Sequence, residues 1–214
     1  MLHTLVLTLT TITPDYQPID VAAATAFSFD GSTAVYAKMP EPETTQTEKI
    51  AMTPSATAWG TTGTWRWGIS GGYAKDVKHT ENTLATLGVD FEYFIEQDLG
   101  LHLGFYGMDI DQSGPNATGF NFTLQLRWHF IAKETWSMFL EGGAGLLRTS
   151  QKVPSGGSRF NFTPQAGVGL TFDIGNNARW LIGAKWHHIS NANMYDTNPG
   201  RDSIMYWTGI SFPF

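Results

Sequence analysis

From Trp65 to the end of the chain, apolar residues return at every second position in eight successive blocks, the period of a β-strand with one apolar face. The fourth block is the clearest. Phe120, Phe122, Leu124, Leu126, Trp128 and Phe130 alternate there with Asn121, Thr123, Gln125, Arg127 and His129. A helix of 3.6 residues per turn would scatter both sets around its circumference. The first block carries Trp65, Trp67, Ile69 and Tyr73, the second Leu87, Val89, Phe91, Tyr93 and Ile95, and the third Leu101, Leu103 and Phe105. Trp136, Met138, Leu140, Ala144 and Leu146 form the fifth, and Phe162, Ala166, Val168, Leu170 and Phe172 the sixth. The seventh has Trp180, Ile182, Ala184 and Trp186, and the eighth Ile204, Tyr206, Thr208, Ile210, Phe212 and Phe214. The opposite faces are mostly glycine and polar residues.

The connections alternate in length. Residues 74–83, 109–117, 147–159 and 191–201 are long, whereas 96–98, 132–135 and 173–178 are short. Long loops at one end and tight turns at the other are the pattern of an outer-membrane barrel. An even number of antiparallel strands closes such a sheet without leaving an edge in lipid. The prediction is therefore an all-β fold, an eight-stranded antiparallel transmembrane β-barrel over residues 64–214, preceded by an irregular N-terminal segment, 1–63. The competing arrangement is a lipocalin-like soluble barrel with its apolar face turned inward. The small and glycine-rich opposite face favours the membrane form, because the interior of eight strands is narrow and filled by side chains, leaving no pore. Trp65, Trp128, Trp136, Trp180, Trp186 and Trp207 lie near block ends and are candidates for interfacial girdles.

Composition sharpens this picture. Charged residues are 15% of the chain and aromatics 14%, against about 25% charged in an ordinary soluble domain. There is no run of 18 apolar residues to cross a bilayer as a helix. The net charge of -6 has no basic concentration to neutralise phosphates, which sets nucleic acid aside. Without cysteine there is no thiolate metal site and no disulfide; no metal or cofactor is expected. Residues 1–27 include Leu5, Val6, Leu7 and Leu9 and a small-residue stretch at 22–26. They fit a secretory signal poorly, because Asp15 and Asp20 interrupt the apolar region and no Lys or Arg precedes Lys38. Residues 37–63, rich in Pro, Glu, Thr, Ser and Ala, read as a linker or plug-like segment.

Candidate chemistry gathers between Lys185 and Asp202. His188 and Ser190 are two apart on one predicted strand, so they share a face with Cα atoms roughly 6.5–7 Å apart. The same face holds Trp186, Ala184, Ile182 and Trp180, the set that meets lipid. Asp202 shares the parity of Ile204 and Tyr206 on the last strand and faces the same way. A base, a hydroxyl nucleophile and an orienting acid are the parts of a serine esterase. With both barrel termini on the periplasmic side, loop 191–201 lies outside, and these residues fall at the level of the outer leaflet. His187 points to the opposite face, as a hydrogen-bonding residue of the lumen. His102, His129 and Glu141 are expected in an interior polar network.

At these residues the chain resembles outer-membrane lipid A 3-O-deacylases, eight-stranded barrels with a His-x-Ser-Asn motif and an acidic residue twelve positions beyond the serine. Here the motif reads His188-Ile189-Ser190-Asn191, then Asp202. The resemblance is specific over residues 183–214 and elsewhere amounts to strand pattern. It implies Ser190 as nucleophile, His188 as general base, Asn191 in the oxyanion hole and Asp202 as the acid, where the family generally has glutamate. It further implies lipopolysaccharide as substrate and the outer membrane as the location; a homodimer is left open. The readings of another class are a non-enzymatic adhesion or anchoring barrel, and a phospholipase or acyltransferase on the same fold.

Overall fold

A computed structural model describes residues 59–214; the signal-like stretch and nearly all of the 37–63 segment lie outside the described residues. The predicted alternation becomes nine strand segments: β1 (Trp65–Asp76), β2 (Thr83–Glu96), β3 (Leu99–Asp111), β4 (Ala117–Ala132), β5 (Trp136–Val153), β6 (Ser158–Phe162), β7 (Gln165–Asp173), β8 (Arg179–Ile189) and β9 (Arg201–Pro213). Sequential neighbours pair antiparallel except β6 and β7, which both pair with β5, and β1 also pairs with β9, which closes the barrel. β6 and β7 are two halves of one barrel strand. Both pair with β5 in a single register, Leu146 opposite Phe162 and Gly143 opposite Gln165. Between them Thr163 still exchanges backbone hydrogen bonds of 2.9 and 3.1 Å with Gly145. Only Pro164, which has no N–H to give, interrupts the ladder. Eight strands therefore run around the barrel.

The apolar set of each strand faces outward. Phe120 is 80% exposed and Leu87 68%, while Asn121, Thr123, Gln125, Arg127 and His129 between the outward residues of β4 are all buried. An apolar exterior around a polar interior is the transmembrane arrangement, and it excludes the inward-facing carrier. Trp65, Trp128, Trp136 and Trp180 are exposed near the short-turn end, as a girdle requires. Trp207 is not part of it. Its neighbours Tyr206 and Thr208 face outward, so Trp207 turns into the lumen, where it lies under the cationic groups of Arg127 and Lys185 at 5.5 and 5.6 Å. The 147–159 connection is also shorter than its sequence suggests. β5 continues to Val153 and β6 begins at Ser158, so most of that stretch is a paired hairpin.

The lumen is held by charge. Arg127 donates to Glu141 Oε2 from Nε and Nη2 at 3.2 and 2.7 Å and to Glu92 Oε2 from Nη1 at 3.4 Å. Lys185 Nζ lies 3.9 Å from the other Glu141 oxygen, and His129 Nε2 3.7 Å from Glu92 Oε1. His102 approaches Asp90 at 3.5 Å. His187 does point inward and is buried, yet neither ring nitrogen has a hydrogen-bond partner among the described residues. The cavity left among these side chains is about 20 Å³, far too small for a conducting channel. At the short-turn end Trp59 packs against Phe94 and His129 and beneath the guanidinium of Arg66.

Replacing Arg127 by Met would leave Glu92 and Glu141 buried without their shared cation, a change that costs about 3–5 kcal/mol. Urea unfolding from lipid vesicles, read by heat-modifiable gel mobility, is expected to show that loss. Adding Glu92→Gln and Glu141→Gln in the same chain is expected to recover much of it.

Candidate functional site

The strand registers assemble the site. His188 donates its backbone N–H to Pro164 O at 3.0 Å, toward the neighbouring strand on the β7 side. Its pairing with Asp202 on β9 is therefore of the non-hydrogen-bonded kind, in which facing side chains stand closest. His188 Nδ1 lies 2.8 Å from Asp202 Oδ1. With the Nδ1 proton donated to the carboxylate, Nε2 carries the lone pair. Both side chains are partly exposed, 23% for His188 and 34% for Asp202, on the outer surface of the barrel.

Ser190 lies one step beyond the end of β8, where it forms a bridge with Phe162. Their backbones exchange hydrogen bonds of 3.1 and 2.7 Å, which extend the β7–β8 register through this point. Ser190 thus keeps the outward parity of His188 and is half-buried. Among the described residues no hydrogen bond joins its hydroxyl to His188.

Asn191 is buried and organises the loop that follows. Its backbone N–H donates to Asn198 Oδ1 at 3.0 Å, its Nδ2 to Thr197 O at 2.7 Å, and its Oδ1 accepts from Asn193 N at 3.0 Å. Thr197 in turn donates its hydroxyl to Gly156 O in the β5–β6 turn. Of the four residues singled out by sequence, His188 and Asp202 are in contact, Ser190 is beside them on the same face, and Asn191 is tied into the loop. Among the described residues no group of three or more His, Asp and Glu side chains is placed to hold a metal ion.

Two further residues belong to this arrangement. Trp186 donates its indole N–H to Asp202 Oδ1 at 3.0 Å and stacks on the His188 ring, centroids 5.6 Å apart at 25°. It thereby fixes both members of the pair. Gly200, which the register brings opposite Ser190, has φ +60°, and a Cβ there would stand 3.3 Å from His188 Cε1. A side chain at that position would be strained in its backbone and tight against the imidazole. Spacing contains a signal for both: Trp186 is two residues before His188 on the same face, and Gly200 is two before Asp202.

Several solved structures resemble this one. The crystal structure of the outer membrane enzyme PagL superimposes with a TM-score of 0.58 at 20% identity, covering 66% of this chain and 97% of that one. Neisserial surface protein A (NspA) gives 0.53 at 14% identity, covering 70% and 96%. At these identities the likeness is one of fold. A comparison with curated protein sequences finds no match. The family model for lipid A 3-O-deacylase (PagL) matches residues 48–211, a span that takes in every strand but the last residues of β9 together with His188, Ser190, Asn191 and Asp202, and the chain therefore belongs to the lipid A 3-O-deacylase (PagL) family.

Proposed function

We propose that this outer-membrane barrel is a serine esterase that removes an ester-linked 3-hydroxyacyl chain from the lipid A of lipopolysaccharide. The observation that carries the reading is the 2.8 Å contact of His188 with Asp202 on the lipid-facing surface, with Ser190 on the same face. Ser190 Oγ attacks the ester carbonyl as His188 Nε2 takes its proton. The tetrahedral intermediate collapses when His188 returns that proton to the departing sugar oxygen. Water, deprotonated by the same imidazole, then attacks the acyl-enzyme and frees the 3-hydroxy fatty acid and Ser190. Asp202 holds the imidazole in the required tautomer and stabilises its charged form. Asn191, which is buried and gives an Nδ2 proton to Thr197 O, is the residue assigned to the oxyanion hole, together with nearby backbone N–H groups.

Orientation supports this reading. Both ends of the barrel lie with the short turns, which face the periplasm in barrels of this class. The long-loop end, and His188 with it, then lies in the outer leaflet, where lipid A resides. An ester there is presented from the side, so the substrate reaches Ser190 by lateral diffusion and never enters the lumen.

Gram-negative cells expressing the protein are expected to yield lipid A lighter by one 3-hydroxyacyl group in mass spectrometry, and cells expressing folded Ser190→Ala to yield unmodified lipid A. Unmodified lipid A in both would refute the reading. Asp202→Asn is expected to lower kcat by on the order of 10³–10⁴ through loss of the tautomer, with Asp202→Glu retaining far more. Trp186→Phe keeps the ring on His188 and removes the bond to Asp202, costing about 1 kcal/mol or roughly fivefold in kcat/KM. A purified-enzyme assay on lipid A dispersed in detergent reads both.

A further inference from the structure

Three basic side chains line a cleft near this site, with one carboxylate, Asp196, among the other lining residues. The chain has 19 acidic residues against 13 basic ones. Yet Arg148, Lys152 and Arg159 line one wall of a cleft of about 450 Å³ between the β5–β6 hairpin and the loop after β8. Loop residues that include Tyr195, Asp196 and Thr197 line the other wall. None of the three cations forms an ion pair among the described residues, in contrast to Arg127, which is paired twice inside the barrel.

None of His188, Ser190 and Asp202 lines the cleft, but the strand ladder connects them to it. Ser190 bridges Phe162, Phe162 pairs with Leu146, and Phe160 pairs with Arg148. Arg148 therefore lies two strands across and two residues further from the membrane centre than Ser190, a Cα separation of about 12 Å at ordinary strand spacing and rise. Phe160 and Phe162, edge to face at 5.6 Å, stand between them. The far wall belongs to the loop that begins at Ser190 and is tied back to the hairpin at Gly156. A ligand that reaches from Ser190 into the cleft passes Phe160 and Phe162 and meets the guanidinium groups of Arg148 and Arg159. That order of polarity is the order of groups in a phosphorylated glycolipid.

We infer that this cleft receives a phosphate on the sugar headgroup of the substrate whose ester is presented to Ser190. The inference rests on the deacylase reading above. A phosphomonoester offers several charged acceptor oxygens, which the fork geometry of arginine matches with paired, charge-assisted hydrogen bonds. Holding the headgroup there fixes which ester of a multiply acylated lipid stands over Ser190. The cleft is thus a determinant of position on the sugar as well as of affinity.

The test uses the full chain in detergent micelles, with lipid A carrying its phosphates and the same lipid A after chemical dephosphorylation. Ser190→Ala protein is expected to bind the phosphorylated lipid more tightly, and Arg148→Gln with Arg159→Gln to erase that preference, by about tenfold for each arginine. Arg148→Lys with Arg159→Lys is expected to retain part of it. Heat-modifiable mobility confirms that each variant is folded. A preference that survives the double glutamine replacement, or none in the Ser190→Ala protein, overturns the inference even if the wild type hydrolyses lipid A. Preference without any turnover by the wild type supports the cleft and sinks the esterase reading instead. Phosphorylated lipid A already lacking its 3-O-acyl chain is then added to dephosphorylated substrate. Slower hydrolysis, by competition, supports a seat for the substrate's own phosphate. Faster hydrolysis would mean that the cleft holds a neighbouring lipid, and would overturn it.

Discussion

Every backbone N–H and C=O that crosses a bilayer needs its partner within the protein, because no water is present to supply one and each unsatisfied group costs several kcal/mol. The pairing of β1 with β9 meets that requirement by removing the last free edges. Closure also fixes parity. Once the ladders are set, alternate residues face lipid and the others face a narrow lumen, and a one-residue slip would invert every strand. The position of His188 is a consequence of this constraint. Its outward direction follows from the stripe that includes Trp180, Ile182 and Ala184, and its contact with Asp202 follows from the β8–β9 register.

The two faces manage polar groups by opposite means. Inside, Arg127 is surrounded by Glu92, Glu141 and the rings of Phe139 and Trp207, so its charge is compensated by neighbours held in fixed strands. Such a network is costly to break and contributes little if replaced whole by apolar groups. Outside, polar side chains occur where the barrel leaves the apolar zone. His188, Ser190 and Asp202 sit at the loop end of their strands, where the penalty for polarity on the lipid face falls away. The indole N–H of Trp186 adds a donor to Asp202 from a side chain that is itself suited to the interface. The position is one at which polar side chains are tolerated on the outer face of the barrel.

Much of this was legible in the sequence because the period of a strand is short and the membrane enforces it without exception. The alternation in β4 gave the inward and outward faces residue by residue, and the spacing of His188, Ser190 and Asp202 put all three on one side. Trp207 lies near the end of a block, where a girdle residue is expected, but its parity, which Tyr206 and Thr208 determine, turns it into the lumen. The split of the sixth strand at Pro164 and the extension of β5 to Val153 depend on pairing partners, which a single strand's pattern does not contain. Trp186 and Gly200 escaped for a related reason. Their roles come from a stacked ring and an across-strand approach, both properties of the register between β8 and β9. Asn191 was legible as part of a motif, whereas its bonds to Thr197, Asn198 and Asn193 emerge only when the loop is folded.

Those loop bonds connect geometry that is otherwise set independently. The barrel fixes His188 and Asp202 through strand pairing, but Ser190 is the first residue beyond β8, and its placement relies on the bridge to Phe162 and on the Asn191 network immediately after it. The same network, through Thr197 and Gly156, ties the loop to the β5–β6 hairpin that bears Arg148 and Arg159. A rigid pair of side chains on the strands therefore stands beside a serine, the proposed nucleophile, whose position is shared with the loop. In the proposed reaction, where the described residues form no enclosing pocket around Ser190, such coupling would let contacts made by a lipid headgroup be felt at the hydroxyl. Binding energy from a part of the lipid that does not react is then available to align the part that does.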